Sequence, residues 1–142
     1  MTEQENNKAA VEKFFSTVGS PEHFTYSDTY FHKDHKWHFP FVPQPVDAKE
    51  HKKMDEAILR GFPDFKIILD DILAVEDKVI VRGKMTGTHK GDFNNIPPTG
   101  RKINLPFIGI MKFKDGKNFE EWVEADTSKL FKQIGVSAME PA

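Results

Sequence analysis

The chain has 142 residues, a formal net charge of -2 and no cysteine, so it is long enough for one domain around one core, and disulfides, thiolate nucleophiles and thiolate metal sites are excluded. Charged residues make up 30% of the chain and are mixed in sign without a basic stripe, which argues against a nucleic-acid partner. No apolar run approaches membrane length and no secretory signal leads the chain, so the expected setting is cytoplasmic, with no membrane contact.

Taken in chain order, residues 1–6 are polar and read as a loose end. Val11, Phe14, Phe15 and Val18 recur at helical spacing, which predicts an amphipathic helix from about Asn7 to Val18, closed by Gly19. Ser20-Pro21-Glu22 has the form of an N-cap followed by proline at the first helical position, so a second short helix is expected to run to about Phe31. Residues 35–41 read as a first strand broken by Pro40. Asp47-Ala48-Lys49-Glu50 has the form of a capping box, with Asp47 as the cap. The helix it opens points Met54, Ile58 and Phe62 inward and stops at Gly61 and Pro63.

The period then changes to two. Strands are predicted at Phe65–Val75, Lys78–Thr88, Ile103–Phe113 and Asn118–Ala125, with a turn at Glu76-Asp77 and a hairpin signal at Asp115-Gly116. Between the second and third of these lies Gly87 to Arg101, GTHKGDFNNIPPTGR. Its glycines and its adjacent Pro97 and Pro98 exclude regular structure and make it a shaped loop. A short helix with Leu130, Phe131 and Ile134 ends before Gly135, and the tail from about Val136 reads as loosely ordered. Helices early and a strand meander late indicate α+β: a cone-shaped, curved antiparallel sheet packed on N-terminal helices around an internal pocket, all within one domain over residues 1–142.

Several motifs, in order and at their spacings, resemble one family. They are Phe62-Pro63-Asp64-Phe65, Gly87-Thr88-His89-Lys90-Gly91-Asp92-Phe93 and Ile96-Pro97-Pro98-Thr99-Gly100-Arg101, then Asp115-Gly116-Lys117, Glu120-Glu121-Trp122 and Gln133-Ile134-Gly135. The chain resembles the SnoaL-like polyketide cyclases of the nuclear-transport-factor-2-like superfamily. That resemblance implies an α+β cone, cofactor-free aldol-type ring closure, an acid–base carboxylate on the last strand and a helper histidine on the strand before it. The same register places the carboxylate position at Val123 and the histidine position at Gly109, where neither side chain can transfer a proton.

Candidate site residues follow from both readings. Glu121 shares the strand face of Val123, two residues away, and burial there would lift its pKa toward that of a working base. His38 could serve as the second catalytic group. Trp37 precedes it, and strand alternation lets only one of the two face the pocket. Phe107 and Met111 would line the wall, with Gly109 between them leaving room for a ligand. His89 either ties the signature loop together or lines the pocket rim, and Arg101 is expected to pair with a carboxylate such as Asp92. His32, His35 and His38 recur every third residue, but a turn entering a strand would splay them, so no metal is expected, and the resemblance implies no cofactor. Trp122, Glu120 and Glu124 lie on the opposite face and suit a homodimer contact through the sheet.

The expected function is acid–base chemistry on an apolar carbonyl compound: aldol-type closure, isomerisation or elimination. The alternative is a binding protein that holds an apolar metabolite without reacting it.

Overall fold

Local signals open and close most elements of the computed structural model, which describes residues 1–136. Thr2 caps the first helix, α1 (Glu3–Ser16), by accepting the Glu5 N–H at 3.1 Å. The first residues are therefore helical rather than loose, because a capped first turn with Glu3 and Glu5 at its positive end holds itself. The expected tail from Val136 lies almost wholly outside the described residues. In α2 (Glu22–Tyr30) the expected Ser20 cap does not form, because the Ser20 hydroxyl donates back to the Thr17 carbonyl. Strand β1 is Phe31–His38, beginning four residues and ending three residues earlier than the pattern suggested. Pro40 lies beyond its end, so it does not interrupt the strand.

Helix α3 (Ala48–Gly61) is capped by Asp47, which accepts the Glu50 N–H at 2.9 Å. Strands β2 (Lys66–Val75), β3 (Lys78–Thr88), β4 (Lys102–Lys114) and β5 (Lys117–Ala125) follow, then α4 (Thr127–Gln133), capped by Asp126. The β4–β5 hairpin turns on Asp115 and Gly116, both at positive φ (55° and 74°), as a two-residue Asp-Gly turn requires.

The sheet order is β1-β5-β4-β3-β2. The meander from β2 to β5 is antiparallel as expected, whereas β1 joins β5 in parallel, so the sheet is mixed and open. Helices α1 and α3 cover its inner face. Val79, Val81, Met85, Leu105, Phe107 and Met111 point into that core from alternate positions. Among the described residues no helix is long and apolar enough to cross a membrane.

The signature loop is held by backbone bonds. His89 N–H donates to the Arg101 carbonyl, Gly100 N–H returns to His89, and the Lys90 and Gly91 N–H groups both reach the Gly61 carbonyl at the end of α3. Phe93 is buried against Phe62 and Phe41. Asp64, from the Phe-Pro-Asp-Phe motif, accepts the Thr88 N–H and hydroxyl at 2.6 and 2.7 Å, tying the entry of β2 to the end of β3. Arg101 does not pair with Asp92; its guanidinium lies against Gly135, where a Cβ would meet it at 2.9 Å.

Candidate functional site

Between the sheet and α1–α3 lies a mainly apolar cavity of about 60 Å³. Four polar side chains reach it: Glu121 from β5, His51 and Asp55 from α3, and His23 from α2. Each arrives for a local reason that can be traced.

Glu121 faces inward with Val123 by strand alternation, and a β-bulge brings Asn118 to the same side. The β4–β5 register shifts between Lys112 and Phe113, so Phe119 has no partner of its own. In an unbroken strand residues 118 and 121 would face opposite sides. With the extra residue both Asn118 and Glu121 turn inward, at 0% and 3% exposure. Asn118 Nδ2 then donates to Glu121 Oε1 at 2.8 Å, and also reaches the Tyr30 hydroxyl at 3.3 Å. Burial pushes the Glu121 carboxyl up to about 8; the Asn118 bond opposes this and the Asp55 carboxyl adds to it. Met111, directly across from Glu121 on β4 and wholly buried, is part of the apolar surroundings that raise it.

His51 and Asp55 sit four residues apart on one face of α3, with His51 Nε2 3.8 Å from Asp55 Oδ1. The histidine tautomers follow from their partners. The Asn118 carbonyl can only accept, so the His35 nitrogen 3.0 Å from it, Nδ1, carries the hydrogen. Burial pushes His35 down to about 4, so it is neutral and its Nε2 holds a lone pair. That lone pair accepts from His51 Nδ1 at 3.0 Å. Burial and the neighbouring imidazoles also hold His51 well below its ordinary value, which leaves it neutral with a lone pair on Nε2, on the Asp55 side. On the other flank the Thr17 hydroxyl donates to the Phe14 carbonyl and so accepts from His23 Nδ1 at 3.0 Å. His23 Nε2 and Asp55 Oδ2 lie 3.3 Å apart, within hydrogen-bond reach. Burial raises the Asp55 carboxyl, with the His23 contact opposing. The cavity thus holds one neutral-leaning acid, one imidazole lone pair and the hydrogen-bonded His23–Asp55 pair.

Of the residues expected from the sequence, Glu121, Trp37, Phe107 and Val123 line this cavity. Trp37 and His38 divide as strand alternation demands, with Trp37 inward and His38 outward. His38 bonds Glu120 at 2.7 Å and stacks on Trp122, on the outer face of the sheet. It is therefore no neighbour of Glu121's carboxyl. Gly109 opens no gap for a ligand, because a Cβ there would already touch Val81 at 3.3 Å, the Trp122 carbonyl oxygen at 3.4 Å and Val123 at 3.6 Å. Met111 is packed within the core away from the cavity wall. His89 is wholly buried in the loop, bonded through Nδ1 to Thr99 and stacked on Phe62, and does not reach the cavity rim. His32, His35 and His38 part company: His32 lies by Asp34 and Asp115, His35 by His51, His38 by Glu120.

Sequence reasoning missed His23, His51, Asp55 and Asn118. One signal was present: His51 and Asp55 are a polar pair at i, i+4 on the face of α3 that also carries Ile58 and Leu59. The bulge that turns Asn118 inward left no such trace.

The sequence model of the family described as SnoaL-like polyketide cyclase matches residues 9–134. No curated protein matches the sequence. Among solved structures the chain is similar to a putative SnoaL-like polyketide cyclase from Jannaschia sp. CCS1, with TM-score 0.88 and 19% identity over 99% of this chain and 97% of that one. It is also similar to AclR, a putative hydroxylase from Streptomyces galilaeus (TM-score 0.83, 24% identity, 97% of this chain and 86% of that one). A third is IdmH, a putative polyketide cyclase from Streptomyces antibioticus (TM-score 0.78, 22% identity, 92% and 99%). At these identities the likenesses speak to the fold.

Proposed function

The chain belongs to the SnoaL-like polyketide cyclase family, and from that premise we propose a cofactor-free acid–base enzyme acting on a small apolar carbonyl compound. One observation carries the reading: a carboxyl that keeps its proton to about pH 8 shares an apolar cavity with a neutral imidazole lone pair. In this reading Glu121, largely protonated at neutral pH, donates to the substrate carbonyl oxygen. His51 Nε2 takes the proton from the adjacent carbon as that C–H bond breaks and the enol forms. Asp55 stabilises the imidazolium that results. Return of the proton to another carbon isomerises the substrate, and attack of the enol on a second carbonyl closes a ring. With Val123 and Gly109 at the positions expected of the family's carboxylate and histidine, the chemistry draws on this different set.

The test is deuterium uptake at the carbon next to the carbonyl, followed by proton NMR in D2O for cyclohexanone, ethyl acetoacetate and similar small ketones. The wild-type protein should accelerate exchange for at least one of them, and Glu121→Gln should lower that rate at least about tenfold. No acceleration across the panel would sink the enzymatic reading.

The cavity's size favours a second reading. At about 60 Å³ it is far below the roughly 300–1,000 Å³ typical of drug-sized ligand sites, which suits a small metabolite held without turnover. Binding without exchange in the same experiment would select it.

The outer sheet face supports a homodimer as a further part of the proposal. One register row runs Leu73, Ile80, Ile110, Trp122 across β2 to β5, and Ile108 beside it is 54% exposed. A monomer by sedimentation at micromolar concentration would remove it, and Ile108→Asp should dissociate it.

A further inference from the structure

Among the described residues, one buried donor at the cavity has no partner of its own. Trp37 is 3% exposed, lines the cavity, and its indole Nε1 makes no hydrogen bond to any of the described residues. An indole nitrogen can only donate, and native folds rarely bury a donor unpaired. The ring cannot turn away to find an acceptor. It lies flat on His51, with centroids 3.8 Å apart and planes within 1°, and on Phe39 at 4.7 Å and 11°. Its backbone is pinned to Val46 by bonds of 2.9 and 3.1 Å. The N–H lies toward Glu121, near enough to favour its ionised form, yet the pair lacks the geometry of an ordinary hydrogen bond. Two proton-bearing groups therefore converge on the same space, one of them held rigid.

We infer that the Trp37 indole N–H is the hydrogen-bond donor for an oxygen atom of the ligand, placed beside Glu121. The residues lining the cavity include no lysine or arginine, so a carboxylate or phosphate would find no counter-charge there. The ligand class is accordingly a small uncharged carbonyl or enol compound. This rests on the cavity being the ligand site, as proposed above, and not on turnover there.

The chain has two tryptophans, and Trp122 on the outer face serves as an internal reference. The experiment titrates nitrogen-15-labelled protein with cyclohexanone and, separately, with methylenecyclohexane, which has the same shape with a CH2 group in place of the oxygen. The ketone should move the Trp37 indole signal downfield and leave the Trp122 signal in place, whereas the hydrocarbon should cause no downfield movement. Trp37→Phe, which keeps the stacking and removes the donor, should weaken ketone binding about tenfold, the equivalent of one net neutral hydrogen bond, and change hydrocarbon binding less than twofold. The titration of the wild-type protein stands even where the variant fails to fold. Ketone binding without movement of the Trp37 signal would overturn the inference. So would equal weakening of both ligands in the variant, or no binding of the ketone at millimolar concentration. Binding with the indole shift but without deuterium uptake would remove the catalytic reading and leave this one standing.

Discussion

Replacing Glu121 by glutamine should make the protein progressively more stable than wild type as the pH rises. The wild-type carboxyl holds its proton to about 8 in the folded chain, against an ordinary value of 4.5. Between those two values the folded state binds a proton that the unfolded state has released. Wild-type stability therefore falls as pH rises from 4.5 through 8, and none of this loss is felt below 4.5. Glutamine does not titrate, is close in shape to the neutral acid, and its amide oxygen can still accept from Asn118 Nδ2, so the two proteins should start within about 1 kcal/mol of each other near pH 5. Almost one proton separates folded from unfolded wild type across most of the window, at about 1.36 kcal/mol per pH unit, so the variant's relative gain should reach about 3–4 kcal/mol between pH 5 and 8. Other groups titrate in both proteins, so the difference curve isolates residue 121. Urea unfolding at half-unit steps from pH 5 to 8.5 measures it. Curves that stay parallel to within about 1 kcal/mol would show that the carboxyl ionises near its ordinary value, and the acid–base assignment would lose its physical basis.

Four further expectations can be checked with the same assays. His35 is neutral in the folded chain down to about pH 4, so its contribution is present above pH 6.5 and lost as pH falls from there toward 4, by about 3 kcal/mol, and His35→Gln should lessen that acid-side loss in urea titrations. Gly91→Ala should destabilise by at least about 2 kcal/mol, because its Cβ would run into the Arg60 carbonyl oxygen at the end of α3. Gly100→Ala, whose Cβ meets nothing within 4 Å and whose only penalty is a φ of 74°, should cost about 1–2 kcal/mol in the same assay. His38→Ala should change any deuterium-exchange rate less than twofold and stability by less than about 1 kcal/mol, since its partly exposed pair with Glu120 lies on the far side of the sheet. A large rate loss in that variant would return His38 to the site.

The fold was legible because its signals are local. Period-two alternation located β3 at Lys78–Thr88 to the residue, and Asp115-Gly116 marked the last hairpin. Asp47 announced the start of α3. Where a local signal had a stronger competitor it misled, as when the Ser20 hydroxyl bonded the Thr17 carbonyl instead of capping α2. The site was legible only in part. Glu121 and Val123 were placed together because they share a strand face two residues apart, and Trp37 followed from alternation once the strand's true end was known.

The amino-acid sequence alone determined the family, the strand meander and the presence of an irregular loop at Gly87–Arg101, because turns, caps and periodicity are properties of neighbours along the chain. Tertiary structure decided what the cavity contains. His23 comes from α2, and His51 and Asp55 from α3, and no spacing relates the two helices until they pack. Asn118 reaches Glu121 only because a bulge against β4 reverses the alternation. Even Glu121's proton is a tertiary property: a carboxyl gives it up near 4.5 in water and near 8 once the sheet and helices have removed the water around it.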